Sequence, residues 1–446
     1  MFFKTRMKST KISFIGAVSI IVSNMIGTGV FTSLGFQVAG IKSIPALLAL
    51  WVVGGIIAIC GAFAYAELAL RFPRSGGEYN FLSRIYHPAI GFLSGWVSST
   101  VAFAAPIAMS CMAFGNYFYD IFPVYEPMTI AFVTLALVTT INLISLSVGT
   151  AFQKTFTFLN LSLILLFIIY GLINSNSSHY EFKINTSTLS PIFSSSFASS
   201  LVYVSFAFSG WNSVTYVIDE IDDPKKTIPK ALFTAIGIVL VLYVALNFIF
   251  LYSTPIYDLE NKVDVASIAA NNIFGTEGGR VISAMICIAL FASVNSMLIA
   301  GPRIIKVIGE DFPFFKKFAS SSEKGTPVLA TLIMSTIALG LILSSQYEMV
   351  FTYIGFTLSI FTLLTVIGLF VLRNNQKNST TPIYKSWGFP ITAIIFIALE
   401  GWMMVFLLME KPNESIAGLI TILSGLIVYF LIKKKNNNQI KSTHEI

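Results

Sequence analysis

Two short stretches hold the residue types with chemistry to offer. Asn24-Met25-Ile26-Gly27-Thr28-Gly29-Val30-Phe31 sets two glycines around a threonine inside an apolar run, and Phe206-Ala207-Phe208-Ser209-Gly210-Trp211-Asn212 interrupts another. Each glycine weakens a helix by about 1 kcal/mol relative to alanine. Non-helical backbone at membrane depth persists only where it lines a cavity or is buried in protein. Unwinding frees N–H groups at the start of one half-helix and carbonyls at the end of the other. N–H groups suit a carboxylate and carbonyls suit an ammonium, so paired breaks suit a zwitterion. Gly27 and Gly29 have a second possible use, close helix packing. Catalytic chemistry is poorly served. His87, His179 and His444 fall in loops or the tail, while Cys60, Cys111 and Cys287 sit in apolar runs without Cys-x-x-Cys spacing. No nucleophile–base pair, metal set or cofactor motif is legible, which disfavours an enzyme.

The elements that must carry these stretches follow from composition. The chain has 446 residues, 55% hydrophobic and 11% charged, with mean hydropathy +0.79. A soluble chain carries about 25% charged residues, so the bilayer is the natural solvent here. Apolar runs begin near Ile12, Pro45, Pro88, Pro127, Phe156, Phe193, Pro229, Val281, Pro327, Tyr347, Gly388 and Ile416, many with proline in the first turn, where its missing N–H costs nothing. They predict an all-α membrane protein of twelve transmembrane helices. The first run is too long for a signal-peptide core and lacks a small-x-small cleavage site. With the N-terminus inside, all of the 28 Lys and Arg residues except Lys42, Lys183, Lys262, Arg280 and Lys411 fall in inside loops or tails. Both termini are therefore expected in the cytoplasm. The same asymmetry accounts for the net charge of +7 without nucleic acid. The breaks fall in spans one and six, as two inverted repeats of five helices require. The expected organisation is one transporter domain over 1–446, with repeats at 12–174 and 190–373 and two further helices at 387–433.

The motifs resemble those of the amino acid–polyamine–organocation superfamily, and within it the L-type amino acid transporter branch. The first-span pattern stands as Gly27-Thr28-Gly29-Val30-Phe31 and the sixth-span signature as Phe206 to Asn212, followed by Asp219-Glu220 and Asp223-Pro224-Lys225-Lys226-Thr227-Ile228-Pro229. Tyr65-Ala66-Glu67-Leu68, Pro73 to Tyr79, Phe291 to Asn295 and Pro382 to Lys385 are similar to further family segments. The resemblance implies secondary transport of amino acids by alternating access. It implies that Thr28 and Gly29, beside Gly27, hold the carboxylate, and that the Met25 carbonyl faces the ammonium. It also makes Phe206 an aromatic gate, with its own carbonyl and that of Ser209 nearby and Ala207 beside them. Many relatives carry a lysine seven residues after a glutamine in span five; here Gln153 plus seven is Asn160, which cannot titrate. Ser293 is the candidate oxygen for any sodium, and Glu220 for an inner gate.

Substrate class follows from charge. Spans one, three, six, eight and ten carry no Asp, Glu, Lys or Arg near their middles, and a charged side chain at that depth wants a counter-charge. Asn212 stands where an acid would have suited a cationic substrate. Neutral L-amino acids are expected, with sodium-independent exchange as the mode and the plasma membrane, in particular a bacterial inner membrane, as the location. Ion-coupled symport and cationic amino acid or polyamine antiport are the alternatives on the same fold. Glu400, in span eleven, is read as a helix or subunit contact. No cysteine falls in an outside loop, so no obligatory covalently linked partner subunit is expected. A channel is disfavoured because a chain with two broken helices lacks the charged rings and pore loops of symmetric pores.

Overall fold

The computed structural model describes residues 12–144, 146–174, 185–320, 327–344, 346–375 and 384–444. In chain order the helices are α1 (Phe14–Met25), α2 (Gly29–Gly40), α3 (Ile44–Arg71), α4 (Gly77–Ile85), α5 (Pro88–Val97), α6 (Ala104–Ile121), α7 (Pro127–Ile144), α8 (Leu146–Asn174) and α9 (Thr186–Leu189). They continue as α10 (Ser195–Ala207), α11 (Pro224–Ser253), α12 (Ile256–Leu259), α13 (Val265–Asp311), α14 (Val328–Ser344), α15 (Tyr347–Asn375), α16 (Ile391–Glu410) and α17 (Pro412–His444). Among the described residues the secondary structure is helical, apart from one isolated bridge between Ile12 and Ile221.

Local chemistry sets the helix starts. Ser13, Ser43 and Ser194 accept hydrogen bonds from backbone N–H groups of the first turns of α1, α3 and α10, satisfying donors that otherwise have no partner. Pro45 and Pro88 stand in first turns, where proline removes no helical bond. Seven helices among the described residues are long and apolar enough to cross a membrane, and counting each of two bent pairs as one span raises this to nine. Three shorter apolar helices, Pro127–Leu143, Phe158–Ile173 and Val328–Ser344, accompany them.

The helix containing the run that begins near Val281 starts earlier. α13 opens at Val265 and is interrupted at Gly275, whose φ of +75° is glycine territory. The third run is also irregular. Its α5 and α6 are joined by a π-helical turn at Ser98–Ala102, a local irregularity frequent at functional sites.

Small residues hold the bundle together, as expected where lipid removes most of the hydrophobic drive between helices. A methyl added to Gly54 of α3 would stand 2.2 Å from Val204 of α10, and one on Gly55 would stand 2.4 Å from Leu240 of α11. Helix α3 therefore lies directly against α10 and α11. Its inward face also carries the fully buried Trp51 and Tyr65.

Candidate functional site

The backbone unwinds at both expected places. α1 ends at Met25 and α2 starts at Gly29, the pair bent by 41°. α10 ends at Ala207, and a turn through Phe208–Asn212 leads into a 3₁₀ segment, Ser213–Glu220. Gly210, with φ of +91°, allows that turn.

The two breaks touch. A Cβ on Gly29 would stand 2.7 Å from the Ala207 Cα, and one on Gly210 would stand 2.7 Å from the Asn24 carbonyl oxygen. At Gly29 glycine is thus required by close packing. Gly27 is different, since an added Cβ would meet only the Ser293 hydroxyl, at 3.7 Å.

The junction walls a cavity of about 170 Å³, lined by Met25, Gly27, Thr28, Gly29, Phe206, Ala207, Ser209 and Asn212. All eight residues expected at a substrate site from the sequence therefore face one space. Ser98, Ala102 and Phe103, at the π-helical turn of the third run, line it too. Phe206 is buried and meets Phe351 of α15 edge to face, with ring centroids 4.6 Å apart.

The remaining candidates stand elsewhere. Ser293 abuts Gly27 from α13. Asn160 of α8 is not among the cavity-lining residues, and its side-chain oxygen is buried without a partner. The side chain of Glu220 lies outside the described residues. Nearby, Lys226 and Asp223 form a solvated pair at 3.4 Å.

Hydroxyls engage the freed backbone and its flanks. The Tyr243 hydroxyl of α11 donates to the carbonyl oxygens of both Met25 (2.6 Å) and Ala207 (3.0 Å). It joins the C-terminal ends of the two half-helices, where carbonyl charge accumulates. Trp51 and Phe208 meet its ring edge to face, with centroids 5.5 and 5.1 Å away. The Thr28 hydroxyl shares a 2.8 Å hydrogen bond with Tyr347, which also bonds Thr32 at 3.0 Å. No sequence spacing links 243 or 347 to the breaks, so neither tyrosine was legible from the motifs.

Two carboxyls line the cavity as well. The spans expected to enclose the site carry no acid near their middles, but Glu78 enters from α4 and Glu400 from α16. Glu78 accepts from Tyr65 (2.6 Å) and Asn212 (3.1 Å). Burial pushes it up to about 7, against the opposing effect of those two donors. Asn212 is thus committed to Glu78. Glu400 faces the bundle beside Ser359 of α15, a helix contact as expected, and it also lines the cavity.

The cavity also holds orphaned polarity. The Ser110 and Ser213 hydroxyls and one Glu400 oxygen are buried without hydrogen-bond partners. Polar atoms in that condition call for a ligand or water.

One end of the bundle is tied by charge. Glu67 of α3, its side chain fully buried, accepts from Arg71, Arg373 and the Ser386 N–H. Beside it, Arg74 pairs with Asp311 at 3.1 Å, and the Tyr79 hydroxyl donates to the same carboxylate at 2.6 Å. At the opposite end Glu348 accepts from Tyr203 and Lys411, both at 2.8 Å, and Lys42 pairs with Glu260 at 2.6 Å.

Sequence comparison identifies the family. The family model described as "Amino acid permease" matches residues 12–432. The chain belongs to the amino acid permease family. Within that family it is similar to the "Large neutral amino acids transporter small subunit 2" of Mus musculus, 29% identical over 439 residues covering 94% of this chain and 80% of the relative. The mouse "b(0,+)-type amino acid transporter 1" is 26% identical over 440 residues, covering 96% and 89% of the two chains. The mouse "Asc-type amino acid transporter 1" is 27% identical over 432 residues, covering 94% and 81%. This permease is a multi-pass membrane protein of the amino acid–polyamine–organocation superfamily. The expectation of a carrier that needs no partner subunit is corrected here. A relative named as a small subunit is by that name one component of a larger assembly, so a lack of cysteines in outside loops does not argue for a lone chain.

Proposed function

We propose that the permease is a secondary active transporter of amino acids that works by alternating access, with neutral L-amino acids as substrates and sodium-independent exchange as its mode. The observation carrying this reading is the junction of the two unwound stretches. Gly29 backs on Ala207 and Gly210 on Asn24, and residues of both breaks line one cavity. The substrate carboxylate sits at the start of α2, near Thr28 and Gly29. Its ammonium sits at the Met25 and Ala207 carbonyls, beside the Tyr243 hydroxyl, and Phe206 closes over it. Each contact uses a helix end whose dipole has the complementary sign.

The wider reading has matching support. The nine candidate spans and three shorter apolar helices fit twelve crossings, in repeats at 12–174 and 190–373 with two helices added. The lysine and arginine asymmetry supports cytoplasmic termini and a plasma membrane location, in a bacterium the inner membrane. For neutral substrates, the support is a relative's name and the engagement of Glu78 by Tyr65 and Asn212. For exchange without an ion, the support is the non-titrating Asn160 and the absence of a carboxylate among the atoms within 4 Å of the Gly27 position.

Competition in proteoliposomes loaded with leucine tests substrate class. Neutral L-amino acids are expected to displace labelled leucine, and arginine, lysine and agmatine to do so poorly. Strong competition by agmatine, which has no carboxylate, would contradict the zwitterion site.

A further inference from the structure

A carboxyl at membrane depth is costly unless it is paired or hydrogen-bonded. Glu400 is 4% exposed, and one of its oxygens has no hydrogen-bond partner. Helix α16 turns Ala393, Phe396, Glu400, Met403 and Leu407 inward at spacings of three and four, so this acid faces the bundle. The ion pairs of neighbouring helices are made elsewhere, Glu67 with Arg71 and Arg373 and Glu348 with Lys411. The polar group beside Glu400 is the Ser359 hydroxyl of α15, which also lines the cavity.

Resting on the amino acid reading above, we propose that Glu400 and Ser359 form a side-chain subsite that accepts a hydrogen bond from the hydroxyl or carboxamide of a neutral amino acid held at the breaks. The open oxygen is an acceptor in either protonation state of the carboxyl. An aliphatic substrate leaves it unpaired, whereas serine, threonine, asparagine or glutamine brings a donor into the same cavity. A site with a buried polar group discriminates by whether that group finds its partner, more sharply than by one methylene more or less.

The test is inhibition of labelled-leucine exchange by glutamine, serine and unlabelled leucine, in proteoliposomes bearing wild type, Glu400→Gln, Glu400→Leu or Ser359→Ala. Glu400→Leu is expected to weaken glutamine and serine about tenfold relative to leucine, because one hydrogen bond is lost. Ser359→Ala should shift the ratio in the same direction, and Glu400→Gln, which keeps an acceptor oxygen, should retain most of the preference. An unchanged glutamine-to-leucine ratio in Glu400→Leu and Ser359→Ala, with leucine exchange intact, would overturn the subsite alone. Parallel loss of all three amino acids in every Glu400 variant would make it a packing residue. Arginine or lysine outcompeting glutamine in wild type, and failing in Glu400→Gln, would make it a counter-charge. If wild-type vesicles exchange no leucine, the transport reading falls and the subsite with it.

Discussion

At the scale of single residues, Gly27 and Gly29 look equivalent in sequence and are not. The sequence leaves both a substrate role and close packing open for the pair, but Gly29 lies against Ala207 with no room for a methyl, whereas Gly27 has room toward Ser293. Gly29→Ala is therefore expected to lower thermal stability by about 1–3 kcal/mol, the usual cost of overpacking, along with transport. Gly27→Ala should fold normally and change substrate affinity. Differential scanning fluorimetry and uptake on both variants check this, and equal stability of the two would contradict the packing. Glu78 gives a pH prediction. Burial raises it from its ordinary 4.5 to about 7, so the folded state favours the protonated acid. That contribution is fully present below about pH 4.5 and is lost as pH rises through 7. Tyr65, Asn212 and Tyr216 surround it. Melting temperature should fall between pH 5 and 8 in wild type and stay flatter in Glu78→Gln. A wild-type profile that rises over that range would contradict the assignment.

At the scale of elements, Tyr243 makes α11 the clasp between the two half-helix ends. Tyr243→Phe removes the one hydroxyl proton that the two carbonyls share; Met25 keeps the Gly27 N–H at 2.9 Å, so the Ala207 carbonyl is the one left without a donor, at about 1–3 kcal/mol. The variant should melt earlier and exchange more slowly, and wild-type melting would show that the hydroxyl does not hold both ends. The same region shows where sequence reasoning reached its limit. The breaks were legible because glycine and polar residues inside an apolar run have a local meaning. Tyr243, Tyr347, Glu78 and Glu400 were not, because they arrive from α11, α15, α4 and α16 through tertiary packing. Glu400 in particular looked remote in a span outside the expected core, and only the inward stripe through Ala393, Phe396 and Met403 brings it to the cavity. The π-helical turn at Ser98–Ala102 likewise has no signature beyond a run of small and β-branched residues.

At the scale of the whole molecule, the two ends of the bundle are held differently from its middle. Glu67, Arg71 and Arg373 tie α3 to α15 at one end, and Glu348 ties α10 to the start of α17 at the other. The middle is lined by small residues and unwound backbone. Rocking about such a middle, with polar ties made and broken at the ends, is the motion that alternating access requires. On the proposed exchange mode the amino acid itself returns the carrier across the membrane. The decisive measurement is uptake of labelled leucine into proteoliposomes that contain unlabelled leucine or are empty, with sodium and pH gradients imposed separately. Rapid uptake is expected only into leucine-loaded vesicles, little changed by either gradient. Accumulation in empty vesicles driven by a sodium or pH gradient alone would contradict it.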